Sequence, residues 1–133
     1  MAQFAGSEDV YSRIGRVLQE MLEDPMLVCR FQRADCVVQY RFHEPDAAIT
    51  VDLRASGAAS VEFGDPVLEP DVVMEMDADI AHGFFLGEVN LAVALARREI
   101  LAQGPVGKIL KLVPLVKPFF GRYREQQQAL VTA

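Results

Sequence analysis

The sequence predicts an α+β fold, a five-stranded, mainly antiparallel sheet with helices packed on one face. Three observations carry this expectation. Four runs between positions 35 and 77 alternate apolar and polar residues with period two, and the stretches on either side repeat at three and four. The connections between the runs are short and rich in Gly, Pro and Asp, as in sheets with one wet face.

Ser7 followed by Glu8 and Asp9 predicts a capped helix start, and Val10, Ile14, Val17, Leu18 and Met21 then form one apolar face. Pro25 closes that helix or opens a short second one bearing Leu27, Val28 and Phe31. In the first strand Cys36, Val38, Tyr40 and Phe42 face one way, and Val37, Gln39, Arg41 and His43 the other. After a Glu44-Pro45-Asp46 turn, Ile49, Val51 and Leu53 oppose Thr50, Asp52 and Arg54. The third strand sets Val61 and Phe63 around Glu62, and the fourth sets Val72, Met74 and Met76 against Val73, Glu75 and Asp77.

Helical spacing then returns. Asp77 is a candidate cap, Ile80 and Phe84 share a face, and Gly87 suits a left-handed stop. Asn90 caps a short helix carrying Leu91 and Leu95, and 99–103 fits a fifth strand. Gly104-Pro105 opens a helix whose apolar face is Val106, Ile109, Leu110 and Val113. Pro114 and Pro118 break or kink the next stretch, and a terminal helix resumes over 119–128.

The chain of 133 residues is long enough for one domain, 1–133, in which 114–133 is a C-terminal helical extension. An apolar share of 51% excludes a disordered chain. The longest clean apolar run, Leu91–Ala96, falls far short of the roughly 20 residues a bilayer demands. A net charge of −6 argues against nucleic acid as a partner. Charge is uneven, however. Arg97, Arg98, Lys108, Lys111, Lys117, Arg122 and Arg124 meet only Glu99, so an oily, basic C-terminal end sits on an acidic body. Such an end either pairs with the body's own carboxylates or makes transient contact with an anionic membrane surface. Cys29 and Cys36 suit neither a disulfide framework nor a zinc site, and read as free thiols. With no signal peptide opening the chain, a cytoplasmic location is expected.

Catalytic constellations are thin, so no catalytic residue, metal or cofactor is assigned. A dyad of Cys29 or Cys36 with His43 or His82 has no local support, and Asp77 and Asp79 beside His82 are better read as helix caps than as metal ligands. Gly104-Pro105-Val106-Gly107-Lys108 resembles a phosphate loop superficially, but Pro105 lacks the amide donor and no Ser or Thr follows Lys108. What stands out is bulky apolar material in the second half, including Leu86 and Leu112. As a set it exceeds what one helical layer over a small sheet requires, and it suggests an adaptable apolar cavity.

The stretches PDVVMEM (70–76) and LGEVNLAVALARREILAQGPVGKILKL (86–112) resemble the sterol carrier protein type 2 domain. Gly87, Asn90, Ala94, Gly104, Gly107, Lys111 and Leu112 match its pattern without a gap, and the order of elements agrees over most of the chain. Two departures are visible: Arg98-Glu99 stands where the family usually has Gly-Lys, and the tail from Pro114 extends past the usual short helix. The resemblance implies a hydrophobic tunnel between sheet and helices, and intracellular binding and transfer of lipids without chemical change. The expected guests are a sterol, a fatty acid or an acyl-CoA-like molecule. The expected lining is Met74, Met76, Ile80, Phe84, Phe85, Leu101, Leu110, Val113, Leu115, Val116, Phe119 and Phe120, with Phe119 and Phe120 swinging as a gate about Pro114 and Pro118. The alternative is a homodimerisation or accessory module that presents a hydrophobic substrate to a partner enzyme.

Overall fold

The computed structural model describes residues 3–132, with side chains through Leu130. Met1, Ala2 and Ala133, the ends of the expected domain and of its extension, lie outside the described residues. The chain opens with a continuous helical stretch made of α1 (Ser7–Val10), a wide π turn (Tyr11–Gly15) and α2 (Arg16–Glu23). The expected apolar face is intact, with Val10, Ile14, Val17, Leu18 and Met21 all buried. The cap differs from expectation. Gly6 takes the N-cap position, and the Asp9 carboxylate, not the Ser7 hydroxyl, accepts an N–H from the incoming chain, that of Ala5 at 3.0 Å. An ionised acceptor forms the stronger bond there and also faces the positive end of the helix dipole.

Pro25 opens α3 (Pro25–Phe31) at its first turn, and the Asp24 carboxylate accepts from Met26 N at 2.9 Å. A 3-10 turn (Gln32–Ala34) then leads into β1 (Val37–His43), β2 (Ala47–Asp52), β3 (Ser60–Phe63) and β4 (Val72–Asp77). After α4 (Ala78–Phe85) and α5 (Leu91–Ala96) comes β5 (Ile100–Gln103). Asn90 caps α5 as expected, accepting from Val93 N at 3.1 Å, whereas Asp77 takes the N-cap position of α4 with no side-chain bond to the helix.

The sheet order is β3-β2-β1-β4-β5. Three of its pairs are antiparallel and one, β1 with β4, is parallel. β1, β2 and β3 form a meander, and the 64–71 connection then carries the chain back past two strands to the far side of β1. That crossover reverses no direction, so β4 must run parallel to β1. The predicted faces hold: Val38, Phe42, Ile49, Val51, Met74 and Met76 are buried beneath the helices, while Arg41 and Glu62 are exposed on the other face.

Gly15 lets the π turn press onto the sheet's edge, because a Cβ there would fall 2.6 Å from the Phe63 ring. Tyr11 stacks on the same ring, with centroids 4.8 Å apart.

The predicted helix after Gly104 starts later and is broken. α6 (Gly107–Leu110), α7 (Val113–Val116) and α8 (Pro118–Thr132) succeed one another closely. Pro114 lies in the first turn of α7 and Pro118 begins α8, so these prolines start helices where the missing N–H costs nothing. α8 packs on α2, α4 and α7 as a second layer, and its Tyr123 is fully buried.

Gly104 holds the turn between β5 and α6 at φ +91°, and a Cβ there would collide with the backbone carbonyl oxygen of Asp71. Backbone strain and a clash with backbone that cannot yield act together. Gly104→Ala should therefore cost at least about 2 kcal/mol of stability in chemical denaturation.

Candidate functional site

Between the sheet's inner face and the helices the core does not close. The empty space there, its solvent-facing mouth included, is about 830 Å³. The floor is sheet: Tyr40 and Phe42 of β1, Val51 of β2 with Leu53 just beyond it, Met74 and Met76 of β4, and Ile100 of β5. Ile14, Leu18, Met21 and Leu22 of the first helical stretch and Phe31 of α3 form one wall. Ala81, Phe84 and Phe85 of α4 and Leu91 of α5 form another. Ile109, Leu112, Val113 and Val116, from α6, α7 and the turn between them, close it.

No charged side chain lies on this wall, and its only side-chain oxygen is the Tyr40 hydroxyl. Burial pushes the Tyr40 pKa up to about 12, so this group stays protonated. Among the described residues the wall carries no carboxylate, imidazole, amine or thiol.

Of the residues expected to line a cavity, Met74, Met76, Phe84, Phe85, Val113 and Val116 meet here. Ile80 and Leu115 are half-buried against the surrounding core and Leu110 is half-buried, all three off the wall. Successive residues of a helix point different ways, and the neighbouring Ala81, Ile109 and Val116 face the hollow instead. Leu101 points to the sheet's other face, opposite Glu75, and is 51% exposed. Phe119 is buried and Phe120 packs edge-on against Phe84 at 5.3 Å, and neither lies on the wall of the hollow. Leu18, Met21, Phe31 and Tyr40 went unrecognised as lining, although their periodicity already placed them on inward faces.

His82 and the two thiols do not converge. His82 Nδ1 lies 2.7 Å from the Tyr123 hydroxyl, and its ring meets Phe4 edge-on. His43 is on the sheet's other face, beside Glu75 and Asp46. Cys36 is buried and Cys29 exposed, each a free thiol. Among the described residues no group of three or more His, Cys, Asp or Glu side chains is arranged to hold a metal ion.

Next to His82, Arg13 reaches out of the π turn to tie the chain's two ends together. Its Nε donates to Gln127 Oε1 at 2.6 Å, one terminal nitrogen reaches Gln3 O at 3.2 Å and Asp9 Oδ2 at 3.3 Å, and the guanidinium lies over Phe4 at 4.4 Å.

Burial is the largest cause depressing the His82 pKa, and the Arg13 charge adds to it against weaker opposition from Asp79 and Glu88. The unfolded chain therefore binds this proton more readily than the folded one. Stability should fall as pH drops below about 6.5 and through the depressed folded value. His82→Asn keeps an uncharged acceptor and should flatten the loss of melting temperature between pH 7 and 5. The opposite shift at His43 is common to both proteins and cancels in the comparison.

No protein-family model matches the chain, and curated proteins give no significant match. Solved structures do match, and they show that the chain has the sterol carrier protein 2 fold. Sterol carrier protein 2 from Yarrowia lipolytica, in its apo form, superposes with TM-score 0.68 at 16% identity, over 89% of this chain and 96% of its own. The sterol carrier protein domain 2 of Helicoverpa armigera gives 0.68 at 18% identity, over 90% and 95%. The ubiquinone synthesis protein UbiJ-SCP2 gives 0.58 at 11% identity, over 77% and 84%. Among the described residues no helix is long and apolar enough to cross a membrane.

Proposed function

We propose that this chain is a non-catalytic lipid-binding domain that carries a sterol-like or acyl guest between membranes in the cytoplasm. The observation that carries this reading is the hollow itself, twenty residues without one charged side chain, set between sheet and helices. The fold shared with sterol carrier protein 2 domains supports it. The binding unit comprises the whole chain, with 114–133 as its helical extension. The two free thiols suit a reducing compartment.

Each methylene taken from water contributes about 0.8 kcal/mol, so a ten-carbon tail has gross binding of roughly 8 kcal/mol before the costs of association. A guest that enters the hollow must pass between its walls. α6 and α7 are the walls that yield most easily. Four-residue helices have little stability of their own and are held by the apolar side chains they lend to the hollow.

Lys108, Lys111 and Lys117 stand exposed on or beside this lid, and none takes part in a salt bridge among the described residues. Arg122 is different, since it pairs with Glu20 at 3.2 Å. Three unpaired cations on a movable lid suit an anionic membrane surface, where each contributes about 1 kcal/mol.

Native mass spectrometry of protein purified from cells should show a bound lipid, and a fluorescent fatty acid should be displaced by it. Protein that arrives empty and ignores acyl probes ends the proposal. Val113→Trp, which fills the slot from the lid, should weaken probe binding at least about tenfold while leaving the far-ultraviolet circular dichroism intact. Lys111→Ala and Lys117→Ala should each slow probe transfer to phosphatidylserine vesicles about fivefold and leave transfer to neutral vesicles unchanged.

A further inference from the structure

Tyr40 sits on β1, the middle strand of the sheet, on its inner face. Ile49 and Met74 flank it across the two neighbouring strands, and the Phe42 ring stacks beside it. Buried tyrosine hydroxyls ordinarily find a hydrogen-bond partner. The other two tyrosines here do: Tyr123 meets His82 Nδ1, and the Tyr11 hydroxyl accepts the N–H of Ala48 at 3.4 Å. Among the described residues the Tyr40 hydroxyl has none, although its ring forms part of the floor of the hollow. Nor is the oxygen sealed in. It is absent from the fully enclosed, unsatisfied side-chain atoms, which among the described residues are Thr50 Oγ1, Gln126 Oε1 and Gln127 Nε2. The Tyr40 side chain therefore brings a hydroxyl with no hydrogen-bond partner among the described residues to a wall that is otherwise hydrocarbon and thioether.

We propose that the Tyr40 hydroxyl anchors the buried end of the guest, and that this end carries a neutral oxygen: an alcohol, ketone or ester, not a carboxylate. The proposal rests on the lipid-binding reading above and narrows it. The hydroxyl remains protonated at physiological pH and so donates to whatever oxygen comes within reach. A neutral oxygen loses little hydration on entry and regains one hydrogen bond. A carboxylate loses far more, and no Lys, Arg or His on the wall compensates it. Fatty acids therefore enter by the methyl end and leave the carboxylate at the mouth, near the lysines of the lid. Tyr40 then selects among neutral guests and is indifferent to acids.

The test uses ten-carbon competitors that differ only in the head: decane, 1-decanol, 2-decanone and decanoate. Each displaces a fluorescent fatty acid from the wild type and from Tyr40→Phe at pH 8. The affinities of 1-decanol and 2-decanone should fall about three- to tenfold in the variant, while those of decane and decanoate stay unchanged. In the wild type, the Tyr40 Cζ resonance should shift with 1-decanol and not with decane. Equal affinities in the two proteins for all four competitors overturn the anchor and leave lipid binding standing. A loss that extends to decane, or that is largest for decanoate, overturns it as well. A wild type that takes up neither the probe nor any competitor instead removes the lipid-binding reading, and the anchor with it.

Discussion

The molecule depends on one constraint, the need to cover a sheet that is apolar on a single face. Val38, Phe42, Ile49, Val51, Val72, Met74 and Met76 form a continuous hydrocarbon surface that no single helix can span. The covering helices are therefore distributed, and each is anchored where it can approach closely. At the β3 edge the approach is set by Gly15, which brings helix backbone against Phe63. Toward β4 and β5, α4 is held by Ala78 and Ala81 and α5 by Ala94, small buried residues that allow short helices to sit low on the sheet. Helices fixed at the margins by small residues meet imperfectly over the middle. The gap falls above Tyr40 and Met74, so the hollow results from how the sheet is covered and needs no separate device.

The second layer keeps that arrangement from collapsing. α8 lines none of the hollow, yet it backs α4 through Tyr123, which touches both Phe85 and His82. It backs α2 through Glu20, whose carboxylate receives Arg122 and Gln126. Arg13 completes the clamp from inside the π turn. A buried guanidinium is costly unless its donors are occupied, and here they are shared among Gln127, Asp9 and Gln3. The widened turn at Tyr11–Gly15 allows neighbouring residues to serve opposite sides: Tyr11 meets the sheet while Arg13 meets α8. α8 packs on α7 as well, so the second layer backs three of the elements around the hollow.

Much of this was legible in the sequence, and the limits are physical. Period-two alternation assigned the faces of β1, β2 and β4 correctly because the inner face is apolar throughout while the outer one carries Gln39, Arg41, Thr50, Asp52 and Glu75. Pattern does not encode strand order, so the parallel pairing of β1 and β4 was visible only in the fold. In β5 a run of four residues was too short to show its phase, and Leu101 proved to be on the outer face. At the first helix the start shifts by one residue: Gly6 is the N-cap, and its carbonyl, not the Ser7 hydroxyl, takes the N–H groups of Asp9 and Val10. The lining was read in part because an inward face looks the same over a close-packed neighbour as over a void. Met74 and Phe84 were identified through their bulk, whereas Leu18 and Met21, on a face equally apolar, looked like ordinary core. Ala81 carries the opposite lesson, since a small residue makes room and leaves no hydrophobic signal.

The distribution of polarity joins these strands of argument. Charge is absent from the interior wall among the described residues, a single tyrosine contributes to its floor, and lysines without salt-bridge partners lie on or beside α6 and α7. A wall that only fills space has no use for the tyrosine oxygen, and phenylalanine would serve there as well. A cavity for an ionised head would need a cation inside, and the cations here lie outside. On the proposed reading a guest is ordered along its length, with hydrocarbon through the middle, a neutral oxygen at the Tyr40 end, and any charge at the rim. The same segment then has two tasks, because side chains of α6 and α7 shape the hollow while Lys108 on α6, with Lys111 and Lys117 just past the two short helices, faces the surface from which the guest comes.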